Sequence, residues 1–153
     1  MSSISRGEIA AYALPALPLA VLTLPLYVLV PAFYARELML PIAAVGSALL
    51  IVRIVDALAD PLTGLFADRW KPRFGRRRLW VIAASIPTAI GACLVFTPPA
   101  GAGLLYLTIW GVVLSVASTA ALVPYAAWGA ELVTDYAGRA RVTAWRETFA
   151  LIG

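Results

Sequence analysis

No charged residue occurs between Ile9 and Ala35, and none between Leu79 and Ala130. A helix rises about 1.5 Å per residue, so a hydrocarbon layer of about 30 Å is crossed by about 20 residues. The first run is long enough to cross once and too long for the apolar core of a cleavable signal peptide. The second is long enough to cross twice, and Thr97-Pro98-Pro99-Ala100-Gly101-Ala102-Gly103 marks where it should turn. Backbone donors in lipid must be satisfied within the segment, so these runs predict helices. A chain that is 62% hydrophobic and 13% charged, with no His, is excluded from the ordinary soluble class.

The expected fold is therefore an all-α integral membrane protein with four full spans and the start of a fifth, at about 9–30, 40–66, 79–97, 104–130 and 142–153. The first should end near Pro31 and be kinked by Pro15, Pro18 and Pro25. The second is longer than a bilayer needs, which predicts tilt. The last stops in mid-membrane, so the chain is expected to be incomplete. Lys and Arg fall at Arg6, at Arg36, at Arg69, Lys71, Arg73, Arg76, Arg77 and Arg78, and at Arg139, Arg141 and Arg146. The turn at 97–103 has none, which predicts a multi-pass protein with a cytoplasmic N-terminus, in the inner membrane if the source is bacterial. The same clustering explains the net charge of +4 as topology, so no nucleic-acid partner is expected. Cys93, the single cysteine, cannot form a disulfide within the chain.

Within the second span, Arg53, Asp56 and Asp60 stand at i, i+3 and i+7, which places them on one helical face. A charge at a span's centre costs about 2.5–3.5 kcal/mol on insertion scales, so this face should look inward and have a use. Asp60 lies about 9 Å and Asp56 about 15 Å inside the end at Phe66. Two carboxylates one turn apart in low dielectric repel, and a shared Na⁺, Li⁺ or H⁺ relieves that repulsion. The plainer alternative is a passive ion pair in which Arg53 neutralises one Asp and the other reaches polar surroundings.

As a string, Arg53-Ile54-Val55-Asp56-Ala57-Leu58-Ala59-Asp60-Pro61-Leu62-Thr63-Gly64, then Ala67-Asp68-Arg69 and Phe74-Gly75-Arg76-Arg77-Arg78-Leu79-Trp80, resembles the glycoside-pentoside-hexuronide:cation symporters (melibiose permease-like) of the major facilitator superfamily. Pro124-Tyr125, Glu131-Leu132, Asp135 and Arg139-Ala140-Arg141 extend the likeness over most of the chain. The resemblance implies the N-terminal part of a twelve-helix transporter whose C-terminal part is a partner, alongside membrane lipids and a small-molecule solute. It implies cation-coupled symport of a small solute, with a sugar or glycoside as the candidate, by alternating access, with no cofactor beyond the coupling Na⁺ or H⁺. Asp56, Asp60 and Thr119 would ligate a monovalent cation, and Arg53 would pair charge. Gly64, Asp68, Arg69, Gly75, Arg76, Arg77 and Arg78 would form a conformational loop motif, in which Gly64 allows close helix approach. The family's sugar-binding acids are missing: one position is Leu122, and Leu17 to Ala20 are apolar or proline near the other. Sugar specificity is weakened accordingly.

Tyr27 and Tyr125 are candidate solute-facing residues, whereas Trp80, Trp128 and Tyr106 fit interfacial belts; Trp110 belongs to the same aromatic set. Competing readings are a major-facilitator transporter of a non-sugar solute with structural aspartates, a Mg²⁺-dependent membrane transferase using the Asp-x3-Asp pair, and a silent assembly or regulatory fragment. A phosphate loop and a nucleophile with a base partner are both missing from the sequence, so ATP-driven transport and nucleophilic catalysis have no support and no enzyme is expected.

Overall fold

The computed structural model describes residues 5–69, 76–133 and 136–153, without the side chains of Arg6, Thr23 and residues 67–69, 76–79, 130 and 131. Every regular element among them is an α-helix: α1 Arg6–Ala13, α2 Ala16–Glu37, α3 Ile42–Arg69, α4 Arg76–Phe96, α5 Leu104–Leu132 and α6 Tyr136–Ile152. Three stretches are long and apolar enough to cross a membrane, Gly7–Glu37, Ile42–Phe66 and Leu104–Gly129, and Trp80–Phe96 is a shorter apolar helix.

The first span is built in two pieces. Ser5 caps α1 reciprocally with Glu8: the Glu8 N–H donates to Ser5 Oγ at 3.2 Å and the Ser5 N–H to Glu8 Oε2 at 2.8 Å. Pro15 has no N–H for the Ala11 carbonyl, so α1 stops at Ala13, and a tighter bond from the Leu17 N–H to Leu14 O (3.2 Å) bridges to α2. Pro25 and Pro31, by contrast, lie inside a continuous α2. The end expected at Pro31 therefore falls later, at Glu37; a membrane helix tolerates a freed carbonyl where neighbouring packing holds the backbone. α6 likewise begins at Tyr136, before Val142.

Met39 turns the chain from α2 to α3 with φ at 53°, a left-handed conformation that crowds its Cβ. Met39→Gly is expected to stabilise the protein by about 1 kcal/mol, seen as a higher unfolding temperature in detergent. Between α4 and α5, the Ala102 N–H donates to Pro99 O at 3.0 Å and Gly101 takes φ +83°. That closes the turn foreseen at the Pro-Gly segment with the positive φ that only Gly adopts freely.

α5 is the central helix, packed on α3 and α4, while α6 lies against α1 and α2. The contacts are close at Gly91, where an added Cβ would stand 3.0 Å from Leu114 Cα, and at Gly111, where it would stand 2.9 Å from Val52 Cγ2. At Gly64, where a close approach is expected, the nearest atom that a Cβ would meet among the described residues is Val123 Cγ1, at 4.0 Å. The apolar interior divides into two clusters. One gathers Leu26, Val30, Tyr34, Val45, Val95 and Leu107 toward the turn at 97–103. The other gathers Ile9, Tyr12, Ala16, Tyr125 and Val142 toward the N-terminus.

Candidate functional site

Between the two clusters lies a cavity of about 170 Å³ bounded by α2, α3 and α5, and Arg53 and Asp56 line it. Val52 seated on Gly111 brings α3 against α5. One turn further on, the Thr119 hydroxyl donates to Asp56 Oδ1 at 2.8 Å. Thr119 is buried and the Asp56 side chain is 16% exposed, so this bond crosses the helix interface away from bulk water. A hydrogen bond to a carboxylate in such surroundings is strong, and a hydroxyl beside a carboxylate is the oxygen set that a hard monovalent cation takes.

The second Asp56 oxygen, Oδ2, lies 3.5 Å from Arg53 Nη1. The same Nη1 donates to the Tyr27 hydroxyl at 3.0 Å, and the guanidinium carbon stands 4.7 Å from the centre of the Tyr27 ring. Tyr27 thus joins the site by orienting Arg53 through a hydrogen bond and a cation–π contact. The structure therefore brings together Tyr27, Arg53, Asp56 and Thr119. Asp60 is not among them: one turn farther along α3 it is exposed and outside the cavity wall.

Tyr125 is also elsewhere. It is fully buried, stacked on Tyr12 at a ring separation of 4.8 Å, and its hydroxyl donates to Tyr12 O at 2.8 Å. Tyr12 returns the bond, donating to Tyr125 O at 3.0 Å, and packs edge-on against Trp128. This reciprocal pair ties α1 to α5. Tyr125→Phe is expected to lower stability by about 1–2 kcal/mol while leaving cation and solute affinities unchanged. Thermal unfolding together with ligand titration checks this; an affinity loss at unchanged stability would return Tyr125 to the solute surface.

Of the loop motif, Gly75 lies outside the described residues. Asp68 and Arg69 close α3 and Arg76, Arg77 and Arg78 open α4, with only their backbone described. The aromatic belt candidate Tyr106 donates its hydroxyl to Leu94 O at 3.0 Å. Two hydroxyls that the sequence reading passed over, Ser115 and Ser118, line the cavity with Thr119. Their i, i+3, i+4 spacing on an otherwise apolar helix was the available signal. The remaining wall is leucine: Leu19, Leu22 and Leu26 from α2, Leu114 and Leu122 from α5.

Membrane-length helices that gather ionic and hydroxyl side chains at a cavity midway along the bundle are the kind of arrangement from which membrane transporters build their sites. The family model described as "MFS/sugar transport protein" matches residues 11–153, and the chain belongs to that family. It is similar to the inner membrane symporter YicJ of Escherichia coli K12, 32% identical over 124 residues that cover 79% of this chain and 27% of that protein. Over the same shares it is 38% identical to the uncharacterized symporter YnaJ of Bacillus subtilis 168 and 31% identical to the putative glycoside/cation symporter YagG of Escherichia coli K12. The chain thus spans about a quarter of the length of these curated relatives. Membership in a family of transporters replaces the transferase reading of the Asp-x3-Asp pair.

Proposed function

We propose that this chain carries the coupling-cation site of a secondary active transporter that moves a small solute together with Na⁺ or H⁺ by alternating access. The observation that carries the reading is the Thr119–Asp56 hydrogen bond of 2.8 Å across α3 and α5, at the edge of a cavity and at mid-span. Asp56 and Thr119 offer oxygen ligands from two helices. Asp60 joins them from the next turn of α3, on a face that is exposed in this chain and is available to the remaining C-terminal part of the transporter. A relative named a glycoside/cation symporter supports cation coupling, and one named an isoprimeverose transporter, 36% identical over 67 residues, supports a glycoside among the solutes to be tried. The basic residues at the α3–α4 junction favour a cytoplasmic N-terminus.

The test is cation-dependent stabilisation of the full-length protein in nanodiscs, titrating Na⁺, Li⁺ and pH, with Asp56→Asn and Asp60→Asn alongside. A cation-linked rise in unfolding temperature that both variants lose supports the site. The alternative in which Arg53 and Asp56 form a passive ion pair, suggested by their 3.5 Å contact, predicts no shift in any of the three proteins.

A further inference from the structure

We infer that the cavity is built for an amphiphilic anion, a solute with a carboxylate at one end and an apolar body, and this rests on the transport reading above. The cavity has two unlike sides. Leu19, Leu22, Leu26, Leu114 and Leu122 form its apolar side, and Tyr27, Arg53, Asp56, Ser115, Ser118 and Thr119 its polar side. Thr119 donates to one Asp56 oxygen and Arg53 faces the other.

The charge to be matched is positive. Arg53 is 63% exposed, and only its Nη1 is engaged, by the Tyr27 hydroxyl and Asp56. Among the described residues the Nε and Nη2 donors have no partner. This edge is a planar fork of the kind that grips a carboxylate through two parallel hydrogen bonds. The Tyr27 ring beneath the guanidinium keeps its plane set before anything binds.

The same geometry couples the two ligands. A cation at Asp56 competes with Arg53 for Oδ2, so it releases the guanidinium from its only ionic partner among the described residues. An anion arriving at Arg53 then restores neutrality in low dielectric, where an unpaired charge is costly. Cation and anion therefore raise each other's affinity by the same factor, as linkage requires.

The experiment uses the full-length protein in nanodiscs and a probe series of 4-alkylbenzoates from methyl to butyl, the matching benzamides, and methyl glycosides. Binding is read by calorimetry with and without the coupling cation. Expected are benzoates at least tenfold tighter than benzamides, about three- to fourfold gained per methylene, and a cation-dependence shown by the benzoates alone. Arg53→Gln should abolish the benzoate preference, Arg53→Lys should retain part of it, and Leu122→Asn should flatten the chain-length dependence. Equal binding of benzoate and benzamide, or tighter binding of a glycoside than of either, would overturn the inference. So would no benzoate binding by a protein that still shows Asp56-dependent cation stabilisation, and that outcome leaves the transport reading standing. Absence of the cation-linked shift itself would overturn both.

Discussion

Asp56→Asn is expected to abolish cation-dependent stabilisation while leaving the protein folded. The amide keeps the shape of the carboxylate and an oxygen that accepts from the Thr119 hydroxyl, which stands 2.8 Å from Asp56 Oδ1. It loses the negative charge that draws a cation into a low-dielectric site. A ligand at a roughly hundredfold excess over its Kd stabilises by about 2.7 kcal/mol, and that whole increment should vanish. Thr119→Val is the graded companion. It removes one oxygen ligand and the hydrogen bond that orients the carboxylate, so cation affinity should fall about tenfold or more, since a bond to a charged group is worth about 1.5–3 kcal/mol. Unfolding temperatures across a Na⁺ and pH titration read both variants. An Asp56→Asn protein that keeps the full cation-linked shift would remove Asp56 from the site.

The second large effect is steric. Gly91→Ala should destabilise by about 1–3 kcal/mol and Gly91→Val by more, because the new Cβ would meet Leu114 Cα and N at 3.0 and 3.1 Å. These are backbone atoms that no rotamer change can move, so relief requires α4 and α5 to separate. Leu114 also walls the cavity, so the strain should reach the solute site as weakened binding. Gly64→Ala is the control and should be close to neutral, since its Cβ would lie at an ordinary 4.0 Å from Val123 Cγ1. Thermal unfolding of the pair ranks them; equal destabilisation would contradict the helix spacing.

That contrast shows where a single sequence stops being informative. A glycine marks a position where backbones can approach, but whether they do depends on which helix lies opposite, and Gly64 and Gly91 look alike until α5 is placed. Tyr125 is a similar case. Its position near one end of an apolar helix suggested a solute-facing ring, whereas its hydroxyl is satisfied by the Tyr12 carbonyl across the bundle, a partner far away in sequence. Pro31 failed as a terminator because ending a helix within lipid leaves several backbone groups unpaired, a larger cost than the single carbonyl that a proline inside a continuous α2 frees.

The sequence by itself determined the helical membrane class, because uncharged runs of that length leave the backbone no other way to pair its donors, and it determined the turn at Gly101 through local torsional chemistry. It also placed Arg53 and Asp56 on one face, since helical periodicity is a local property. Only the tertiary structure decided that Asp56 meets Thr119 while Asp60 stays outside the cavity, that Tyr27 orients Arg53, and that the facing wall is leucine. Those relations depend on the rotation and spacing of α2, α3 and α5 about one another. These are set by close contacts such as Val52 on Gly111 that no periodicity within one helix encodes.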